Sequence, residues 1–286
     1  MTDGQPSLET LFQLTSIGND RFVGPPPSRV AHAQVDGHDT TTNSQVQRAF
    51  GGQVAGQSLA AAYATVDGRP VHSIHSYFLS GANPSTPIDF AVRRSRDGRN
   101  FSNRLVEASQ GGRTIFNLMA SFRVDAPGVD HQERAPEAPH PDTLEPASGA
   151  EAFEWSSIEI RFAERWGPTA DGRHVASRLL WFRLREQMST DDPAVHACAL
   201  AYASDLTLIR TALGPHQACI AERGVTLASL DHAIWFHRAA RIDEWLLYAS
   251  VSPSASRSLA LAIGHVYTLD GVLVATVVQE GSVIVG

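Results

Sequence analysis

A chain of 286 residues, 43% hydrophobic and 19% charged, can bury a large core and divides into one large or two modest domains. Its net charge is −7 and arginine supplies every basic side chain, so the basic surface needed along a nucleic-acid backbone is missing and no nucleic-acid partner is expected. No apolar run is long enough to cross a bilayer, and the start MTDGQPSLET lacks the basic then apolar pattern of a signal peptide, so the sequence reads as cytoplasmic with no membrane span. Cys198 and Cys219 have no metal-ligand spacing and are expected as free thiols.

In chain order, residues 8–14 carry apolar side chains at helical spacing and residues 21–24 read as a short strand. The polar run from PPPSR to Ser44 reads as a loop. Residues 50–66, FGGQVAGQSLAAAYATV, predict a small-residue helix with so little charge that it should be wrapped on most sides. Period-two runs follow at 72–79, 88–94, 101–109 and 113–124, with Asp97-Gly98 and Gly111-Gly112 as hairpin turns. Residues 126–150 are dense in proline and acidic residues and read as a linker between domains at 1–125 and 151–286. The pattern then restarts. Strands are expected at 158–162 and 174–185, a second small-residue helix at 196–213 stopped by Gly214-Pro215, and strands at 226–236, 245–251, 258–268 and 272–279. The stretch VHSIHSYFLSG near residue 72 is a weaker echo of the segment around LDHAIWFH, so the chain looks built from two copies of one unit. A central helix wrapped by an antiparallel sheet, present twice, is a double hotdog of the α+β class; a generic two-domain α+β protein is the alternative.

Asp205 is the most informative candidate. On the second helix it shares an apolar stripe with Cys198, Ala201, Tyr202, Leu208, Ile209 and Ala212, while Ser204, Thr207 and Thr211 form the polar face. A carboxylate on a buried face is costly without partners, and desolvation should raise its pKa toward that of a general base; a cap or an arginine pair is the structural alternative. Gln279 continues the strand row Leu273, Ala275, Val277 and so should face protein or cavity, where its amide can orient a water molecule. Ser229 has no G-x-S-x-G elbow and is expected as a hydrogen-bonding partner of water, not as a nucleophile.

His232 and His237, five apart on a strand, fall on opposite faces, which argues against a shared metal; no metal is expected. His75 beside Tyr77 is a core histidine or a substrate contact, and Asp231 is expected to pair with an arginine. Arg93, Arg94, Arg96, Arg99 and Arg104 crowd the first hairpin, either as a solvated surface or as a seat for ligand phosphates. Gly51 and Gly52 open the first helix and offer bare N–H groups at its positive end for a carbonyl oxygen or phosphate of a substrate.

Taken together, FGGQVAGQSLAAA, VHSIHSYFL, VHACALAYASDL, LDHAIWFHR, EWLLY and DGVLVATVVQEG closely resemble the acyl-CoA thioesterase II family of the TesB type, in order across almost the whole chain. The resemblance implies a double hotdog that hydrolyses acyl-CoA to free fatty acid and CoA, without a cofactor, as a homo-oligomer (dimer or tetramer). It places the family's catalytic Asp, Thr or Ser, and Gln on Asp205 of YASDL, Ser229 of ASLDH and Gln279 of VVQEG. Bacterial relatives often carry threonine where this chain has Ser229. Two other readings remain: a hotdog enoyl-CoA hydratase using Asp191 and His196 of DDPAVH, whose further motif is absent, and a non-catalytic acyl-CoA-binding protein.

Overall fold

The computed structural model describes residues 7–30, 48–153, 156–164 and 175–286. Helix α1 (Leu8–Leu11), capped by the Ser7 hydroxyl, leads into a hairpin of β1 (Thr15–Gly18) and β2 (Arg21–Gly24). Two short strands, β3 (Arg29–Val30) and β4 (Arg48–Ala49), pair just ahead of α2 (Gly51–Tyr63). The strands β5 (Val71–Phe78), β6 (Ile88–Asp97), β7 (Phe101–Gln110) and β8 (Arg113–Arg123) follow. After residues 124–157 come β9 (Ile158–Glu164), β10 (Ser177–Leu184), α3 (Pro193–Ser204), a 3-10 segment (Ile209–His216) and α4 (Gln217–Arg223). The chain closes with β11 (Val225–Ser229), β12 (Asp231–Phe236), β13 (Leu246–Ser256), β14 (Leu259–Thr268) and β15 (Leu273–Val285).

Thirteen of the described strands form one antiparallel sheet in the order β1-β2-β6-β7-β8-β5-β12-β15-β14-β13-β10-β9, with β11 also on β15. Its middle is the β5–β12 pair, where Ile74 lies opposite Ile234 and both are fully buried. The two long helices pack against each other on the inner face. A Cβ on Gly52 would lie 2.4 Å from the carbonyl oxygen of Tyr202, and one on Gly56 would lie 2.8 Å from that of Cys198. Glycine at these two positions lets the helix backbones meet. Val54, Leu59, Ala61 and Ala62 of α2 are buried, and α2 lies against β6, β7 and β8. Alternation supplies the other side of the core, with Phe116, Leu118, Ala120 and Phe122 of β8 all facing inward. This is the double hotdog arrangement.

Several expectations change. The second helix stops at Ser204, where Asp205 is its C-cap, and the chain continues in a turn and a 3-10 segment that runs through Gly214-Pro215. A helical wheel therefore does not extend past residue 205, and the supposed polar face is enclosed: Ser204, Thr207 and Thr211 are all buried. The strand expected at 226–236 breaks at Leu230. Residues 126–150 contain only 3-10 turns and a single β-bridge from Pro146 to Arg161, and they lie along the sheet. Trp181 Nε1 donates to Pro139 O (2.9 Å), Arg161 Nη1 to Pro141 O (2.9 Å) and Gln132 Nε2 to Gly271 O (2.8 Å). Ala135, Ala138 and Leu144 pack on Leu179, Trp181, Trp245, Leu247 and Tyr267, and so cover apolar surface on the outer side of β10, β13 and β14. Of the loop expected from PPPSR to Ser44, residues 31–44 lie outside the described residues, as does the strand start at His174, while Arg29–Val30 form β3.

Candidate active site

The site begins at the break between β11 and β12. Both strands pair with β15, but Leu230 steps out of the ladder; its N–H donates to Glu280 O (2.9 Å) and its carbonyl accepts from Phe78 N (2.9 Å). The Asp231 carboxylate fills the gap by accepting from Glu280 N (2.6 Å), so this residue mends a ladder instead of pairing with an arginine. Ser229 lies opposite Gly281, and Gln279, two residues away, shares that face, which makes Ser229 and Gln279 diagonal neighbours. Gly281 is itself needed here, since a Cβ would lie 2.5 Å from Ile209.

Asp205 reaches this pair from the end of α3. Gln279 Nε2 donates to Asp205 Oδ1 (2.5 Å) and to Ser229 Oγ (3.0 Å), and Ser229 Oγ donates to Asp205 Oδ1 (3.2 Å). Asp205 is 8% exposed, Gln279 is fully buried and Ser229 is half-buried. Three side chains from three distant segments thus close a hydrogen-bonded triangle around one carboxylate oxygen. The other, Oδ2, accepts no hydrogen bond from the described residues, and a Cβ built on Gly51 would lie 3.1 Å from it. The opening turn of α2 therefore stands beside Oδ2. Gly52 is turned away, against Tyr202 O and the ring of Phe50. Gln279 Oε1 is buried and without a partner among the described residues. The arrangement offers one unengaged carboxylate oxygen beside the positive end of a helix.

Behind the triangle lie groups that sequence reasoning did not place there. His232, fully buried on the inner face of β12, has Nε2 2.9 Å from Ser204 Oγ. Tyr248 Oη donates to Ser204 O (3.2 Å). Burial holds the imidazole below its ordinary value of 6.5, although Asp205 and Asp231 pull it the other way, so the ring is neutral near pH 7. Burial and the charge of Asp205 push the Tyr248 phenol well up, so it remains a donor. The signal for Ser204 was its place one residue before Asp205; the wheel had set it on a polar face.

Other candidates fall elsewhere. His75 does not join the site. It lies on the outer face of β5, edge-on to Trp235 at 5.0 Å, because Ser76 and Ile74 take the inner face and alternate residues point opposite ways. His237 meets Thr276 Oγ1 at 2.9 Å, away from His232. Of the arginines, Arg94 pairs with Asp20 and Arg104 turns into the core, while Arg93, Arg96 and Arg99 stay exposed. Asp191 is bound by Arg241, and both ring nitrogens of His196 are engaged, Nε2 by Thr190 O (3.2 Å) and Nδ1 by Ile242 N (3.2 Å), so this pair does not form a hydratase dyad.

Comparison with known proteins gives a consistent result. The family model described as acyl-CoA thioesterase matches residues 153–282, and that described as acyl-CoA thioesterase N-terminal domain matches residues 39–123. The chain is 36% identical over 257 residues to acyl-coenzyme A thioesterase 8 of Mus musculus, covering 82% of this chain and 80% of that one. It is 35% identical over 251 residues to acyl-CoA thioesterase 2 of Haemophilus influenzae, covering 82% and 87%. The crystal structure of an acyl-CoA thioesterase II, TesB2, from Mycobacterium marinum is similar with a TM-score of 0.81 and 39% identity, over 98% of this chain and 99% of that one.

Proposed function

The chain belongs to the acyl-CoA thioesterase family, and from that premise we propose that it hydrolyses acyl-CoA thioesters to carboxylic acid and CoA by direct attack of water activated at Asp205. The observation that carries the assignment of residues is the triangle with one oxygen left over. Ser229 and Gln279 both give their protons to Oδ1 of Asp205, which holds the carboxylate still and leaves Oδ2 to accept the proton of a water molecule. As the water oxygen bonds to the thioester carbon, negative charge grows on the carbonyl oxygen, and the positive end of α2 at Gly51 stabilises it. Collapse of this intermediate breaks the C–S bond, and the proton held by Asp205 goes to the departing thiolate. No acyl-enzyme forms. His75 has no part in this reading, since it lies on the far face of the sheet.

Homo-oligomerisation belongs to the same reading. Leu105, Met119, His75, Ala233, Val278, Ile263 and Val251 follow one another across paired strands on the outer face, a row that is apolar except at His75 and is suited to a second copy. No helix among the described residues is long and apolar enough to cross a membrane, and the free thiols of Cys198 and Cys219 suit a reducing compartment such as the cytosol.

The test is Asp205→Asn with a panel of acyl-CoAs, following thiol release with a chromogenic disulfide. A fall in kcat of about a hundredfold or more with an unchanged unfolding midpoint is expected. Near-normal turnover would refute the assignment of the base.

A further inference from the structure

A carboxylate at the end of a helix is only as well placed as the last helical turn, and helix ends fray. Asp205 occupies such a position, as the C-cap of α3. The residue before it, Ser204, is held in two ways by the sheet: Tyr248 donates to its carbonyl, and the His232 ring meets its hydroxyl. The direction of the second bond follows from the local pattern. Ser204 Oγ lies 3.3 Å from Ala201 O, to which only the hydroxyl can donate. Its lone pairs then face the ring, so Nε2 carries the proton. In the neutral imidazole this leaves Nδ1 bare, and Nδ1 is buried with no donor among the described residues. An acceptor left in this state is destabilising, a penalty that an aliphatic side chain of similar size would avoid. The ring is therefore kept for what Nε2 does. The strand that carries it is itself tied to the first half of the sheet, since Ser76 Oγ donates to His232 O (2.6 Å).

We propose that His232 is a positioning residue for thioester hydrolysis: its Nε2–H, given to Ser204 Oγ, locks the last turn of α3 and so seats the Asp205 carboxylate on Ser229 and Gln279. The inference rests on the reading of Asp205 as the base. It takes the ring out of the chemistry itself, since Nε2 is given to the Ser204 hydroxyl and Nδ1 is buried.

The experiment measures kcat and KM separately, with thermal midpoints, for His232→Leu, His232→Gln, Ser204→Ala and Asp205→Asn. His232→Leu should lower kcat by about tenfold or more while KM stays within about twofold, because the base is displaced and the substrate is still bound. Ser204→Ala should match it, and the double variant should be no worse than either. A glutamine N–H can reach the place of Nε2, so His232→Gln should recover kcat to within about threefold of the parent. The inference is overturned by parental kcat in Ser204→Ala or in a folded His232→Leu, by a glutamine variant no better than leucine, or by KM rising in step with the loss. If the leucine variant does not fold, the glutamine and Ser204 variants decide. An active Asp205→Asn protein would instead overturn the base, which keeps the two failures apart.

Discussion

Helix α2 closes on Ala62-Tyr63-Ala64-Thr65-Val66, and α3 closes on Ala201-Tyr202-Ala203-Ser204-Asp205. The two stretches match in residue type up to the last position, although α2 itself ends at Tyr63 while α3 runs on to Ser204. Thr65 Oγ1 donates back to Ala62 O (2.9 Å) as Ser204 Oγ does to Ala201 O. The sheet then supplies donors to the hydroxyl and to the carbonyl. For α2 both come from one buried cation, Arg104, with Nε on Thr65 Oγ1 (2.8 Å) and Nη2 on Thr65 O (2.9 Å). For α3 they come from two neutral groups, His232 and Tyr248. The difference teaches why the sites cannot be exchanged. A guanidinium about 4 Å from a carboxylate favours its ionised form by about 4 kcal/mol at an effective dielectric of about 20 and so removes its use as a base. Val66 tolerates a cation beside it; the proposed role of Asp205 does not.

The comparison predicts that the first end serves stability and the second serves chemistry. Arg104→Met should strip the Thr65 carbonyl of its donor, leave Asp97 without its buried ion-pair partner and lower stability by about 2–4 kcal/mol, read as a shifted denaturant midpoint. Turnover per folded molecule should change little, and a tenfold fall would break the division of labour. On the other side, Ser229→Ala should reduce kcat about tenfold, equivalent to about 1.4 kcal/mol, with no loss of stability, while Ser229→Thr keeps the hydroxyl and should stay within about threefold. The smallest effect is on pH. Burial keeps His232 neutral in the folded chain, whereas the unfolded imidazole takes up a proton near 6.5. Its contribution is thus complete above that value and declines as the pH falls below it, because the unfolded state then binds the extra proton. His72 and His237 are pushed down by burial in the same way, so the decline is shared. His232→Gln should flatten the fall in stability between about pH 7.5 and about pH 5.5 by no more than about 1.4 kcal/mol, the most that one imidazole titrating only in the unfolded chain can contribute over that range. An unchanged slope would show that the ring titrates alike in both states.

Much of the site was legible because it obeys local rules. Gln279 follows Ala275 and Val277 on one face of a strand, and Asp205 follows Ala201 and Tyr202 on one side of a helix, so periodicity alone turned both inward. The repeated small-residue helices and period-two runs likewise carry the architecture, since helix and strand periods are properties of neighbouring residues. The stretch VHSIHSYF resisted the same treatment. It offers similar side chains at odd and even positions, so nothing local says whether His75 or Ser76 faces the helices. Pairing decides it: the strand is fixed by its registers with β8 and β12, and a slip of one residue would exchange the two faces.

By itself, then, the sequence determined the repeat, the inward aim of Asp205 and Gln279, and a family resemblance strong enough to name a chemistry. Only the tertiary structure decided that Ser229 joins them across the break at Leu230, that Asp231 mends that break, that α3 ends one residue before the carboxylate, and that His232 reaches Ser204. Each of these depends on which strands are neighbours and in what register, and such long-range geometry is set by packing the whole core and not by any window of the chain.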